Sequence, residues 1–212
     1  MTIQAFTRHR SVLLLAGLAT ATLMSACAPL LLGGAVVGTS MVVTDRRTSG
    51  TQLEDQANEL KANTRVREAV GERGHVNTTS YNRIVLLTGE VAAESDKVAV
   101  EQAVARIEGV RSVVNELAVM GSSSLANRSN DAVLTSKVKA SFIDAKDVFA
   151  NAIKVTTERS VVYLMGRVTE REANRASDIA RGVPGVQKVV KVFEVITEAE
   201  LADLQPKQAQ KP

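Results

Sequence analysis

Aromatic side chains are nearly missing from this sequence, at 3% of residues with no tryptophan. A core must therefore be filled by Val, Leu, Ile and Ala, which suits layered α+β packing better than an aromatic-lined ligand pocket. Histidine is as scarce. His9 falls in an N-terminal leader and His75 has no second histidine or free cysteine beside it, so neither a metal-ligand cluster nor a Ser-His-Asp pattern is legible. The single cysteine, Cys27, has no partner for an intrachain disulfide. An excess of one charge is also lacking, with 26 Lys and Arg against 23 Asp and Glu. Removing Arg8 and Arg10 with the leader leaves the chain close to neutral, without the basic field that nucleic acid requires. Gly33-Gly34 is followed by no Lys-Ser/Thr, so no phosphate loop forms, and Glu170, Glu172 and Asp178 have the spacing of a solvated helix face. Nothing here calls for a cofactor or for catalysis.

The leader is informative. "RHRSVLLLAGLATATLMSAC" has a basic start at Arg8 to Arg10, an apolar run from Val12, and small residues Ser25 and Ala26 before Cys27. Residues 1–26 read as a signal peptide. The segment resembles a bacterial lipobox, with Met24 standing where Leu is commonest. The resemblance implies that Cys27 becomes the acylated first residue, and that Ala28, in place of a retaining aspartate, permits sorting to the outer membrane. Two or more acyl chains anchor durably, since each buried methylene contributes about 0.8 kcal/mol. An uncleaved span over Val12 to Thr44 is the alternative, but Pro29 and Gly33, Gly34 and Gly38 interrupt it.

Beyond Asp45 the sequence says the same thing twice. "VLLTGEV" (85–91) returns as "VYLMGRV" (162–168), placing Gly89 and Gly166 at an offset of 77, and "GVRSVVNELAV" returns as "GVQKVVKVFEV". Each copy runs helix, strand, strand, helix, strand. In the first, Leu60, Val66, Ala69 and Val70 mark a helix capped by Asp55 or Asn58, Val76 to Ser80 and Ile84 to Glu90 a strand pair, and Val110 to Val119 the last strand. In the second, Leu134, Val138 and Phe142 form one helix stripe behind an Asn130-Asp131 cap. Ile153 to Thr157 with Val161 to Arg167, then Val186 to Ile196, supply its strands. The glycine of each repeat permits a sharp exit or a close helix approach. The expected organisation is a lipidated N-terminus and linker at 27–54, units at 55–120 and 130–197, a linker at 121–129 and a disordered tail at 198–212. The fold class is α+β, with each αββαβ unit a small three-stranded mixed sheet covered by two helices.

This order, the two glycine-bearing strands and the "GV" opening each last strand are similar to BON domains. The tandem pair behind a lipobox resembles the dual-BON outer-membrane lipoprotein family (DolP/YraP-like), most specifically over "VVGTSMVVTDRRTSGTQLED" (36–55), "KVTTE" (154–158) and "VYLMGRVTEREA" (162–173). The resemblance implies a non-enzymatic lipoprotein facing the periplasm that supports envelope integrity, its second unit contacting anionic phospholipid. Relatives often carry a tryptophan near the start of the second unit's first helix; Val133 stands there, which removes an interfacial anchor. The sequence itself places Val133, Lys137 and Ala140 on a face beside the core stripe, with Lys139 and Lys146 nearby, and these five residues are the candidate phospholipid contact. The other partner class is an outer-membrane or periplasmic protein, for which the chain would be a structural adaptor held at the membrane only by its anchor.

Overall fold

The computed structural model describes residues 45–204. The signal peptide and Cys27 lie outside the described residues. The elements are α1 (Ser49–Val70), β1 (Gly74–Tyr81), β2 (Ile84–Val91), α2 (Glu94–Ala105), β3 (Ser112–Asn115), β4 (Ala118–Val119), α3 (Leu125–Asp144), β5 (Ile153–Glu158), β6 (Val161–Thr169), α4 (Glu170–Gly182), β7 (Lys188–Ile196) and α5 (Glu198–Leu204). This is the αββαβ order twice. In each unit the first two strands are antiparallel and the third lies parallel to the second, which requires the intervening helix as a crossover. The first unit's last strand is broken in two. β3 and β4 both follow β2, and between them Leu117 N donates to Asn115 Oδ1.

Both leading helices begin earlier than apolar periodicity suggests. Thr48 caps α1 by accepting from Thr51 N at 3.1 Å, and Ser124 caps α3 by accepting from Asn127 N at 3.2 Å. The expected linkers through residue 54 and over 121–129 are therefore partly helical, because periodicity marks only the turns that pack and says nothing of solvated first turns. On α1 the buried stripe is Ala62, Val66 and Val70, while Leu60, one of the apolar residues that mark the helix in the sequence, is 71% exposed. The tail expectation is corrected too: residues 198–204 form α5, with Leu201 buried.

Asp55 and Asp131 are not helix caps. They lie buried inside α1 and α3 and reach the hairpin turns. Asp55 accepts from Asn82 N and Arg83 N at 2.7 and 2.8 Å; Asp131 accepts from Arg159 N and Ser160 N, both at 2.8 Å. Those four turn residues all have positive φ, between 48° and 67°, without a glycine among them. Such two-residue turns normally favour Asn-Gly, and the non-glycine strain costs about 1–2 kcal/mol per residue. A buried carboxylate receiving both turn amides offsets it.

Gly89 and Gly166 sit inside β2 and β6 rather than at exits. A Cβ on Gly89 would fall 2.0 Å from the His75 carbonyl oxygen, and one on Gly166 2.5 Å from that of Ala152. The close approach is by backbone: that of the neighbouring strand β1 at Gly89, and at Gly166 that of a short 3-10 turn, Ala150–Ala152, which leads into β5.

Three cores result. One face of each sheet packs on its own helices: Val85, Leu87 and Val91 on Ala62, Val66, Val100 and Val104, and Val162, Leu164 and Val168 on Val138, Phe142, Ala173 and Ala176. The other faces meet each other. Tyr81 and Leu86 of the first unit pack against Tyr163 and Met165 of the second, flanked by Ile84, Val114, Val161 and Val190. Burial pushes the Tyr163 phenol up to about 12, so it stays neutral at any physiological pH. The inter-sheet layer is polar at its rims, where Thr79 meets Thr156 at 3.5 Å, Lys154 Nζ donates to Glu59 at 2.5 Å and Asn82 Nδ2 donates to Glu194 at 2.6 Å.

Candidate membrane-contact face

The outer surface of α3 carries the site residues. With about 100° between successive residues, Leu134, Val138 and Phe142 occupy one buried arc facing the second unit's core. The rest of the circumference is exposed, and its order is instructive. Lys139 stands at one edge, then Ile143, the polar Ser136, Ala140 and Val133, and Lys137 at the other, the two lysines about 160° apart. Val133 is 50% and Ile143 73% exposed. A helix with apolar side chains along the middle of its free face, interrupted there by one serine, and a lysine on either flank has the geometry of an interfacial helix, whose lysines reach back to headgroups. Asp144 also lies on this arc and is exposed. Lys146 follows the helix in the turn and is exposed.

The five residues are thus not one compact cluster. Lys137 and Ala140 line a groove against α4 with Arg175, Ile179 and Pro184, whereas Lys139 lines a separate depression with Arg47, Tyr81, Ile143, Ile153 and Lys154. Ile143 and Phe149 are additional exposed apolar residues at this end of α3. Ile143 was hidden in the sequence because it adjoins Phe142, which completes the buried stripe. Phe149, half exposed, sits below the Arg46 guanidinium at 5.6 Å from its ring centre.

Arg46 and Arg47 tie the segment before α1 into the folded body. Arg46 forms a bidentate pair with Glu172, both bonds at 2.7 Å, and donates to the Arg167 carbonyl at 2.8 Å. Burial raises the Glu172 pKa, but the Arg46 bonds and the Thr169 amide outweigh it and hold the carboxyl below its ordinary value. Glu172 also completes a capping box with Thr169 at the start of α4. Arg47 lies 4.1 Å from the Tyr81 ring centre and bonds Asp45 and Asp55. These arginines, like Lys154, already have carboxylate partners; among the described residues no carboxylate pairs with Lys137, Lys139 or Lys146.

The BON domain model matches residues 58–121 and again 130–197. The outer membrane lipoprotein DolP of Haemophilus influenzae is 40% identical over 82% of this chain and 90% of its own length. The chain is a dual-BON, DolP-like protein. The 21 kDa hemolysin of Actinobacillus pleuropneumoniae is 30% identical, covering 72% of this chain and 79% of the hemolysin. The osmotically-inducible protein Y of Escherichia coli is 28% identical over 66% of this chain and 72% of its own. Among the described residues of this dual-BON protein, no helix is long and apolar enough to cross a membrane.

Proposed function

We propose that this dual-BON protein is a non-enzymatic outer-membrane lipoprotein, anchored through acylated Cys27 and facing the periplasm, whose second BON domain binds anionic phospholipid and so helps maintain envelope integrity. The observation that carries the reading is the free arc of α3, where Val133, Ala140 and Ile143 run between Lys137 and Lys139. Lys146 extends the cationic margin beyond the helix end. The lipoprotein name of the Haemophilus influenzae relative supports the anchor. Without an indole at Val133, apolar insertion falls to smaller side chains, and charge carries more of the attraction.

Each lysine near an anionic surface contributes about 1 kcal/mol. Lys137→Glu with Lys139→Glu removes two attractions and adds two repulsions, which predicts at least about a 30-fold loss of affinity for anionic vesicles. A chain that begins at Val42, whose described residues 45–204 form one compact unit, is the material for co-sedimentation at low salt. Equal recovery with anionic and zwitterionic vesicles removes the phospholipid reading and leaves the adaptor role, with membrane contact through the anchor alone. The anchor is tested separately by labelled fatty acid, which Cys27→Ser must fail to incorporate.

A further inference from the structure

At one end of the inter-sheet layer, three metal-ligating side chains converge that lie far apart in the chain. His75 on β1 and Glu90 on β2 are cross-strand partners in the first unit, and Glu158 ends β5 in the second. One ligating atom from each lies within 4.8 Å of the other two. Glu90 is completely buried, and its Oε1 has no hydrogen-bond donor. Its Oε2 accepts only the long bond from Ser123 N at 3.2 Å, and the buried Nδ1 of His75, 3.7 Å away, makes no hydrogen bond. Glu158 is buried as well, held at Oε2 by Asn77 Nδ2 at 2.8 Å.

The nearby cation does not settle this charge. Arg159 Nε stands 3.6 Å from Glu90 Oε1 and is itself without a hydrogen bond. Asp131, the next acid, is committed to the turn amides. Two buried carboxylates therefore face one guanidinium, whose Nη1 donates to Met120 Sδ at 3.1 Å and not to either acid.

The fold does not demand these residues. At the repeat offset of 77, the positions of His75, Glu90 and Glu158 correspond to Ala152, Arg167 and Tyr81, which occupy the opposite end of the same layer and bring no ligand set. There the Tyr81 hydroxyl donates to the Ala152 carbonyl at 3.4 Å. One end of a duplicated layer has been filled with a phenol and a cation, the other with an imidazole and two acids. His75 and Glu158 also line an open depression with Asn77 and Arg128, which supplies a route from solvent.

We propose that His75, Glu90 and Glu158 bind a divalent cation of the zinc type that bridges the two BON domains. One imidazole nitrogen and two carboxylate oxygens suit Zn²⁺ better than the all-oxygen sites of Ca²⁺ or Mg²⁺. Ligand bonds of about 2.1 Å in tetrahedral geometry place donor atoms about 3.4 Å apart, so closing the site needs side-chain shifts of roughly 1 Å or a little more. The fourth position is left to water. Bound to both domains, the ion stabilises the sheet-to-sheet contact, and the mechanism is independent of the phospholipid face on α3.

The test uses the full chain, tag-free, in detergent and stripped with chelator. Zn²⁺ is titrated in competition with a chromophoric chelator, and Co²⁺ in parallel for its ligand-field absorption. The expected result is uptake of one equivalent with a higher Tm, and at least about a tenfold loss of affinity in both His75→Ala and Glu158→Gln. Glu158→Gln keeps the shape and the Asn77 acceptor, so it preserves folding where His75→Ala does not; far-UV circular dichroism monitors both. Absence of saturable one-equivalent uptake by the unaltered chain overturns the proposal whatever the variants do. So does uptake that neither substitution weakens.

Discussion

Replacing Asp55 by Asn keeps the side-chain volume and removes one charge at the point where α1, the β1–β2 turn and the segment before α1 meet. The carboxylate accepts four bonds. Oδ1 takes Ser80 Oγ and Arg83 N, both at 2.8 Å, and Oδ2 takes Asn82 N at 2.7 Å and Arg47 Nη1 at 2.8 Å. An asparagine offers one acceptor oxygen and turns its NH₂ toward the other two donors, so two bonds are lost and two buried donors face a donor. With about 1.5–3 kcal/mol for each charge-assisted bond, and partial relaxation, the expected cost is about 3–5 kcal/mol. Asp131, which receives only the two turn amides, sets the comparison: Asp131→Asn loses one such bond, and the expected cost is about 1.5–3 kcal/mol. Urea unfolding followed by far-UV circular dichroism measures both. The pH dependence adds a second readout. Burial raises the Asp55 pKa, but the bonds from Arg83, Ser80, Arg47 and Asn82 outweigh it and hold the carboxyl below its ordinary value. A depressed folded pKa contributes stability that is complete above the unfolded value of about 3.9 and is lost as pH falls through the folded one. Asp55→Asn must therefore flatten the acid limb of the stability curve below about pH 4. A cost under 1 kcal/mol, or an unchanged acid limb, refutes the idea that this carboxylate holds the strained turn.

Three further substitutions probe the repeat and the arginine clasp. Gly89→Ala meets the His75 carbonyl at 2.0 Å and also carries an unfavourable φ of 112°, whereas Gly166→Ala meets the Ala152 carbonyl at 2.5 Å alone. The first is expected to cost about 4 kcal/mol or more and the second about 1–3 kcal/mol, by thermal unfolding; equal losses would show that strain at Gly89 is irrelevant. Arg46→Ala leaves Glu172 buried without its cation, costing about 3 kcal/mol, since the Thr169 amide still bonds the carboxylate at 3.0 Å. The Glu172 pKa, followed by NMR, must rise in this variant; a value that stays put would place the clasp elsewhere.

The sequence showed the αββαβ repeat clearly because helical and strand periods differ and a glycine-marked strand recurs. What it concealed was the meaning of near-continuous burial along β2. Val85 and Leu87 were legible as core, while Leu86, Thr88 and Glu90 alternate with them and look like the second, solvated face of a half-buried strand. They are buried too, under the other unit's sheet. Asp55 and Asp131 misled for a local reason: an acid near a helix start resembles an N-cap, and only the folded hairpin shows that its amides need the carboxylate more. The flanking lysines of α3 were legible from spacing, but Ile143 was not, since the neighbouring Phe142 accounts for the apolar signal there.

The duplication explains why the most unusual chemistry escaped notice. A repeat read by its matches points to the scaffold, and Gly89 with Gly166 is such a match. Function in a duplicated fold collects where matched positions diverge, because the unaltered copy shows what packing alone accepts. On α3 the divergence is a lysine-edged apolar arc. At the inter-sheet layer it is His75, Glu90 and Glu158 against Ala152, Arg167 and Tyr81. The second divergence becomes a cluster only when the two sheets pack face to face, since Glu158 enters from the other unit. If zinc is bound there, separating the units must abolish the site. Leu86→Asp, which places a charge in the sheet-to-sheet core more than one residue removed from any ligand, should then lose zinc uptake and weaken the contact together. Retention of uptake after the sheets have separated would mean that the ion belongs to one unit alone.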